Sequence, residues 1–276
     1  MSSVVVGLTD ALSLEPYRLA PIAPSMCRMM GVVSQGPVYY DLFEEFADLA
    51  SKGMCPIGAP DERGHKDGWG LACFQNGVLK VHTRDAGCAS EASKYYGAGW
   101  KIAKLNIERT PGQFLIVMGH LRRARSQGTI AQKFSHPFIG ERDGTTWAFQ
   151  HNGSLVKDSG DSEKIDSQIL FHTILGSLDG SSQEDVARAT AAARELAIDN
   201  YGGFTSLNFM LSDGQALYVY RDFQTNGQYY TLYMDHLGEL VIAASEPILA
   251  MQTEPIPRGI LHSVTPNLAT RTTTIS

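Results

Sequence analysis

Apolar residues recur along the chain with two periods, and each period predicts its own kind of element. A period of about 3.6 residues marks amphipathic helices. It is clearest at 41–50, where four apolar side chains fall on one helical face; they are Leu42, Phe43, Phe46 and Leu49. Further helices are predicted at 90–108, 166–178 and 183–199.

A period of two, or a short apolar run between turn residues, predicts strands. Strands are expected at 31–33, 69–75, 78–83, 113–121, 146–151, 206–211, 216–220, 229–234 and 239–244. Asn76-Gly77 joins the second and third into a hairpin, because Asn-Gly is a favoured two-residue turn. The strands stand before and after a middle pair of helices without βαβ alternation, so we expect an α+β fold of two antiparallel sheets with helices outside.

The chain has 276 residues and is 43% hydrophobic, which is enough for a substantial core. No linker, repeat or low-complexity tract interrupts the pattern. We therefore interpret residues 27–276 as a single domain and residues 1–26 as an extension, either a propeptide or a mis-assigned start.

The pattern also predicts a cytoplasmic protein. The longest aliphatic run, at 114–118, is far shorter than the roughly 20 residues that a membrane-spanning helix needs, so no contact with a membrane is expected. A secretory signal would require basic residues before its apolar stretch, and none stands before Val4-Val5-Val6. No secretory signal is therefore expected.

Cysteine spacing and charge argue against several kinds of site and partner. The four cysteines form no CxxC pair or Cys/His cluster, which argues against a zinc site and against a disulfide framework. The net charge is −6, and the one basic cluster, at 122–125, stands in an otherwise acidic chain, which argues against nucleic acid as a partner. The sequence contains no phosphate loop and no dinucleotide fingerprint.

Met26-Cys27 is the most informative pair of residues. Once everything before Cys27 is removed, its thiol can attack a carbonyl while its own α-amine, with an unperturbed pKa of about 7.7 to 8.0, takes and returns the proton. Residues 1–26 are then a propeptide, or translation begins at Met26, which we prefer because removal of Met before a small residue is routine. The alternative is an inert cysteine buried in a strand.

Three further groups of polar residues are candidates for a site around this thiol. His120 and Arg122 share one face of a strand, and Arg122 can hold a carboxylate with two parallel hydrogen bonds or simply stay solvated. Asn152-Gly153 offers a side-chain amide and a backbone N–H for an oxyanion hole, although the same pair also forms tight turns. Asp166 either caps the helix that follows or pairs with an ammonium group.

Several motifs follow Cys27 in a fixed order. They are His65-Lys66-Asp67-Gly68-Trp69-Gly70, Gly119-His120-Leu121-Arg122, His136-Pro137-Phe138, His151-Asn152-Gly153-Ser154-Leu155, Asp166-Ser167-Gln168, Leu207-Asn208-Phe209-Met210-Leu211-Ser212-Asp213-Gly214 and Ala244-Ser245-Glu246-Pro247. In their order, spacing and residue identities these motifs resemble the class II glutamine amidotransferases, an N-terminal-nucleophile hydrolase family. The resemblance is greatest to the stand-alone branch, whose sequences begin with Met-Cys. The resemblance covers nearly all of residues 26–250 and implies an αββα sandwich of two antiparallel sheets between helical layers.

The resemblance also implies a role for each candidate residue. Cys27 is the nucleophile, and Asn152 with the N–H of Gly153 stabilises the oxyanion. Arg122 holds the α-carboxylate of the substrate, with His120 beside it, and Asp166 holds the α-ammonium. The reaction is hydrolysis of a γ-glutamyl amide through a glutamyl thioester, and it needs no metal and no organic cofactor.

Three features depart from the branch. Gln168 stands where a Glu is usual, which predicts looser hydrogen bonding beside Asp166. Arg125 adds positive charge near the proposed carboxylate pocket. The extension of residues 1–26 is the most serious departure, because a cysteine inside a peptide bond has no α-amine.

The leaving group and the partner stay open at this point. The chain ends some 30 residues after Ala244-Ser245-Glu246-Pro247, which leaves no room for a synthase domain. It therefore either hydrolyses glutamine or another small γ-glutamyl compound alone, or delivers ammonia to a separate synthase subunit. If residues 1–26 are retained, a catalytically silent binding module is the remaining alternative.

Overall fold

The computed structural model describes residues 27–55, 64–105, 112–157, 163–252 and 254–276. The predicted extension over residues 1–26 lies outside these ranges, as does the end of the helix predicted at 90–108. No helix in the described ranges is both long and apolar enough to cross a membrane.

The strands are β1 Arg28–Ser34, β2 Gly68–Gln75, β3 Val78–Ala86, β4 Leu115–Arg122, β5 Phe138–Arg142, β6 Thr145–Asn152, β7 Asn208–Ser212, β8 Leu217–Arg221, β9 Tyr233–Leu237, β10 Leu240–Ala244, β11 Ile260–Val264 and β12 Thr270–Thr274. The α-helices are α1 Asp41–Lys52, α2 Ser93–Ala103, α3 Asp166–Ser177 and α4 Gln183–Asp199. Short 3₁₀ turns lie at 89–91, 127–129 and 132–134.

The strands form two six-stranded antiparallel sheets. Sheet 1 has the order β3-β2-β4-β1-β10-β9, and sheet 2 has the order β12-β11-β8-β7-β6-β5. The predicted hairpin at Asn76-Gly77 is confirmed as the β2–β3 connection, in which both turn residues have positive φ.

Three apolar cores separate four layers. One core packs α1 and α2 against the outer face of sheet 1, and a second packs α3 and α4 against the outer face of sheet 2. The third lies between the sheets and includes Met29, Met118 and Met210. The predicted α+β fold, an αββα sandwich, is confirmed.

The strand predictions differ from the structure at the sheet edges and in the C-terminal part of the chain. The strand expected at 229–234 begins only at Tyr233, because the N–H groups of Tyr229 and Tyr230 both donate to the Asn226 carbonyl in a turn. β5, β11 and β12 were not predicted. β5 and β12 are edge strands with polar, partly exposed residues, so their alternation is weak.

Strand order determines where the candidate residues meet. β1 lies in sheet 1 between β4 and β10, and Arg28 at its start stands opposite Leu121 near the end of β4. β6 of sheet 2 ends at Asn152. The start of β1 and the ends of β4 and β6 therefore come together at one end of the sandwich.

Candidate active site

Cys27 lies at the start of β1 and is buried between the two sheets, with 6% of its surface exposed. Its backbone N–H donates to Asn152 Oδ1 across the sandwich at 3.0 Å, and its Sγ is 3.9 Å from the carbonyl oxygen of Arg123. Burial raises the pKa of the thiol above its usual value, although the guanidinium groups of Arg122 and Arg28 oppose that shift. At neutral pH the thiol is therefore protonated and needs a base before it can attack.

Asn152 has one half of its amide engaged and the other half available. Oδ1 accepts the Cys27 N–H, whereas Nδ2 is buried and has no hydrogen-bond partner within the described part of the chain. An unsatisfied buried donor is costly, so its persistence beside a nucleophile is typical of a site that donates to a substrate. The amide can donate to an oxyanion formed at Cys27.

Gly153 continues the chain in a conformation that only glycine tolerates here. Its φ is +153°, and a Cβ at this position would lie 1.9 Å from the carbonyl oxygen of Ser206. The close approach of Ser206 therefore fixes glycine directly after the amide of Asn152.

Two buried histidines support this end of β6. His151 links it to α3 through Nδ1 and Ser167 Oγ at 3.0 Å, and to the segment before β7 through Nε2 and the Ser206 carbonyl at 3.2 Å. His120 Nε2 lies 3.3 Å from the carbonyl oxygen of His151. Burial lowers the pKa of His120 to about 3 and that of His151 to about 4, so both rings are neutral at pH 7.

The structure places His120 behind the site and not at its surface. It shares a strand face with Arg122 as predicted, but its ring is fully buried and stacks on His136 with centroids 4.1 Å apart. From this position its contact with the His151 carbonyl favours support of the segment that holds Asn152 over contact with a substrate.

Arg122 is 5% exposed and has its guanidinium oriented by one residue. Nη1 donates to the Thr129 carbonyl at 2.7 Å, and Nη2 lies 3.3 Å from Thr129 Oγ1. Burial lowers the pKa of Arg122 below its usual value, and the Cys27 and Asp67 side chains act in the other direction. No carboxylate among the described residues contacts this guanidinium directly, and a buried guanidinium of this kind is suited to bind a carboxylate from a ligand.

Asp166 is the first residue of α3, and the residue before it, Ile165, is the N-cap. The carboxylate does not cap the helix but accepts the Leu155 N–H at 3.0 Å, which ties it to the segment that follows Gly153. Gln168 Oε1 accepts the N–H of Ile165 at 3.1 Å. The amide oxygen of Gln168 thus makes the capping-box bond at the start of α3, and looser bonding than with a Glu stays a prediction.

The sequence motifs contained two residues with contacts at this site to which no role was assigned. Asp67 stands in the motif around Trp69, and His151 directly precedes Asn152. Thr129 belongs to no motif, and only the folded loop shows its contact with Arg122. Within the described ranges, no group of three or more His, Cys, Asp or Glu side chains is placed to hold a metal ion.

The sequence matches the family model of the class-II glutamine amidotransferases over residues 26–237. The chain belongs to this family. Members of the class act on C–N bonds, and the amidotransferase is an enzyme of this type. The match begins at Met26, next to the candidate nucleophile.

Among curated proteins, the amidotransferase is 26% identical over 204 residues to the Escherichia coli K12 protein named "Putative glutamine amidotransferase YafJ", covering 71% of this chain and 72% of that one. A Haemophilus influenzae protein, "Putative glutamine amidotransferase", is 30% identical over 131 residues, covering 47% of this chain and 38% of the relative.

Two solved structures share the fold. The glutamine phosphoribosylpyrophosphate amidotransferase of B. subtilis superimposes with a TM-score of 0.60 at 14% identity, covering 90% of this chain and 49% of that one. A class-II domain protein of Silicibacter pomeroyi gives 0.53 at 17% identity, covering 90% and 99%. The amidotransferase thus spans about half the length of the B. subtilis enzyme.

Proposed function

We propose that the protein hydrolyses the γ-glutamyl amide bond of glutamine or of a small γ-glutamyl compound, with Cys27 as an N-terminal nucleophile. The observation that carries the proposal is the arrangement of the Asn152 amide, with one atom bonded to Cys27 and the other unbonded among the described residues. Its Oδ1 holds the backbone nitrogen of Cys27, and its Nδ2 is a buried donor without a partner in the described ranges.

The chemistry follows from the raised pKa of the thiol. A free α-amine at Cys27 takes the Sγ proton, and the sulfur attacks the γ-carbonyl carbon of the substrate. The carbonyl oxygen becomes an oxyanion, to which Asn152 Nδ2 and the Gly153 N–H donate. The C–N bond then breaks as the α-ammonium returns its proton to the leaving amine, and water hydrolyses the glutamyl thioester.

Arg122 and Asp166 supply the charges that a glutamyl group requires. The group carries an α-carboxylate and an α-ammonium, and charge-assisted hydrogen bonds to one residue of each sign select it. Arg122 and Asp166 are both anchored through backbone groups, at Thr129 and Leu155 respectively. This arrangement supports strict recognition of the γ-glutamyl half in a cytoplasmic enzyme.

The test compares protein that begins at Cys27 with protein that begins at Met1 and is shown by intact mass to be uncut. Only the first is expected to release ammonia from glutamine, or the amine from γ-glutamyl peptides, without a second protein. Added hydroxylamine should give γ-glutamyl hydroxamate, which reports the thioester. Cys27→Ala is the control and should be inactive.

Each other outcome decides against part of the proposal. Equal rates from the uncut protein would overturn the role of the α-amine. Ammonia release only in the presence of a separate synthase chain would make the protein a glutaminase subunit. No turnover by either form, with substrate still bound, would indicate a silent binding module.

A further inference from the structure

Asp67 holds the segment that follows β4 at two points. It stands directly before β2, its N–H donates to the Arg122 carbonyl at 2.9 Å, and its Oδ2 accepts the Ala124 N–H at 2.7 Å. Between these two points lies Arg123, whose carbonyl oxygen is 3.9 Å from Cys27 Sγ. A single aspartate therefore fixes the backbone that faces the thiol.

The same segment is the base of the loop that orients Arg122. The guanidinium of Arg122 reaches forward to Thr129, and the Thr129 N–H and Oγ1 both bond back to the Ser126 carbonyl, at 3.1 and 2.8 Å. The loop is thus closed on itself through Thr129 and is attached to sheet 1 through Asp67. A displacement at Ala124 would move Arg122 and the Arg123 carbonyl together.

Asp67 also contributes charge at the thiol. Its carboxylate raises the pKa of Cys27 in the same direction as burial, while Arg122 and Arg28 oppose it. Glu246 bonds to Arg28 Nε at 2.6 Å and offsets that charge. The charged and titratable groups near Cys27 are Arg28, Asp67, Arg122, Tyr229 and Tyr230.

We propose that Asp67 is a positioning residue that fixes the placement of Arg122 and of the Arg123 carbonyl relative to Cys27. Its carboxylate does so by accepting the Ala124 N–H, next to the backbone bond from its own N–H to the Arg122 carbonyl. A second, electrostatic consequence is that the negative carboxylate favours the protonated form of the thiol. The inference rests on the proposed function only where substrate binding is measured.

Two variants separate the two effects. Asp67→Asn keeps an oxygen that can accept the Ala124 N–H but removes the charge, whereas Asp67→Ala removes both. Asp213→Asn is the matched control, because Asp213 also accepts backbone N–H groups, from Gln215 and Ala216 at 2.8 Å, and lies at the opposite end of the sandwich between β7 and β8.

Steady-state kinetics are measured on protein beginning at Cys27, with glutamine and with 4-aminobutyramide, which lacks the α-carboxylate. Asp67→Ala should raise KM for glutamine about tenfold or more, the loss expected for a misplaced charged contact, and should change KM for 4-aminobutyramide little. Asp67→Asn should leave both KM values within about threefold of the wild type.

The thiol is titrated without turnover, by the thiolate absorbance near 240 nm relative to Cys27→Ala. Both Asp67 variants should move the midpoint toward lower pH, since each removes a negative charge, and Asp213→Asn should not. Hydrogen exchange at the Ala124 amide should accelerate in Asp67→Ala alone.

An unchanged titration midpoint in both Asp67 variants would overturn the electrostatic part. Equal losses on both substrates in Asp67→Ala, with unfolding at lower denaturant, would reduce Asp67 to a structural residue. If wild-type protein turned over neither substrate, the proposed function would fail, and the titration and the exchange of Ala124 would still decide the role of Asp67.

Discussion

At the scale of the residue, Asn152 combines two tasks in one amide. Its oxygen accepts the Cys27 N–H, and its nitrogen has no hydrogen-bond partner among the described residues, so in the proposed reaction it is the donor to the developing oxyanion. Asn152→Ala should therefore lower kcat by about 10² to 10³, the usual loss for one oxyanion donor, with substrate binding largely intact. Asn152→Asp keeps the oxygen but places negative charge beside the oxyanion, so kcat should fall at least as far.

The comparison uses kcat at saturating substrate on protein beginning at Cys27. Asn267→Ala serves as the control, because Asn267 is exposed and its hydrogen bonds among the described residues are to Thr265 and Ala269 of its own turn. A near-normal kcat in Asn152→Ala would leave Asn152-Gly153 as a tight turn without a catalytic part.

Arg122 and Asp166 are tested by removing charges from both partners of each contact. Arg122→Ala should cost about 3 kcal/mol in kcat/KM, on the order of 10²-fold, for a substrate with an α-carboxylate. Loss of that carboxylate should cost the wild type a similar amount and the variant little, because the contact is already gone. The same cycle with Asp166→Asn uses glutaramate, which lacks the α-amine.

Arg125→Ala is the matched control for this cycle, because Arg125 is exposed and belongs to the same loop. It should leave kcat/KM within about threefold of the wild type. The contradicting result is that removing the α-carboxylate from the substrate lowers kcat/KM of Arg122→Ala as much as that of the wild type. In that case Arg122 would not bind the carboxylate, and Arg123 or Arg125 would become the candidate.

At the scale of the element, helix α2 contains two glycines with opposite environments. A Cβ on Gly97 would meet nothing within 4 Å, whereas a Cβ on Gly99 would lie 2.9 Å from Phe43 Cγ and 3.1 Å from Phe43 Cβ. Gly97→Ala should therefore raise the free energy of unfolding by about 0.5 to 1 kcal/mol, because glycine weakens a helix interior.

Gly99→Ala should instead lower the free energy of unfolding by about 1 to 3 kcal/mol, because the packing of α2 on α1 leaves no room for a methyl group. Urea denaturation of both variants measures the difference. Equal stabilities would show that Phe43 can move away and that Gly99 is not required for packing.

These glycines show why helix α2 was harder to predict from the sequence than the buried strands. The sequence pattern placed a helix in this region, yet its glycines made the prediction weak, since the space that Gly99 leaves for Phe43 is a tertiary contact. Strands with a buried face, such as β2 and β4, were found because burial enforces alternation or a continuous apolar run. β12, with the sequence Thr-Arg-Thr-Thr-Thr at a sheet edge, carries no such signal.

The candidate site divides in the same way. Cys27, Arg122 and Asn152 were singled out because a distinctive motif surrounds each, and the strand order then brings their strand ends together. Their chemical roles remain proposals. Thr129 bonds to Arg122 across a loop, and no spacing along the chain gives a signal for that contact. Asp67 stands in a motif, but only the folded chain shows its bond to Ala124.

At the scale of the whole molecule, buried histidines make stability depend on pH. His120 in sheet 1, His151 in sheet 2 and His136, which stacks on His120, are at most 2% exposed. Burial lowers the pKa of His120 to about 3, that of His151 to about 4, and that of His136 well below 6.5. His120 and His151 are therefore neutral in the folded protein at pH 5, whereas in the unfolded chain they are charged.

The direction in which stability changes with pH follows from the number of protons bound by the folded and unfolded states. Between the folded and unfolded pKa values the unfolded state binds more protons, so the free energy of unfolding falls as pH drops below about 6.5. For His120 and for His151 the loss between pH 7 and pH 5 is about 2 kcal/mol each. Protonation would break the contacts that His120 and His151 make at the end of β6, where Asn152 lies, so we expect acid to remove activity and stability together.

The last prediction isolates one of these rings. His120→Asn should lower the free energy of unfolding at pH 7, because a buried ring and its contact with the His151 carbonyl are lost. The further decrease between pH 7 and pH 5 should be smaller than in the wild type by about 2 kcal/mol, because one buried site no longer titrates. Guanidinium denaturation at the two pH values measures both quantities. His236→Asn, at an exposed position on β9, should reproduce the wild-type pH dependence, and if His120→Asn did so as well, the acid sensitivity would have to come from other groups.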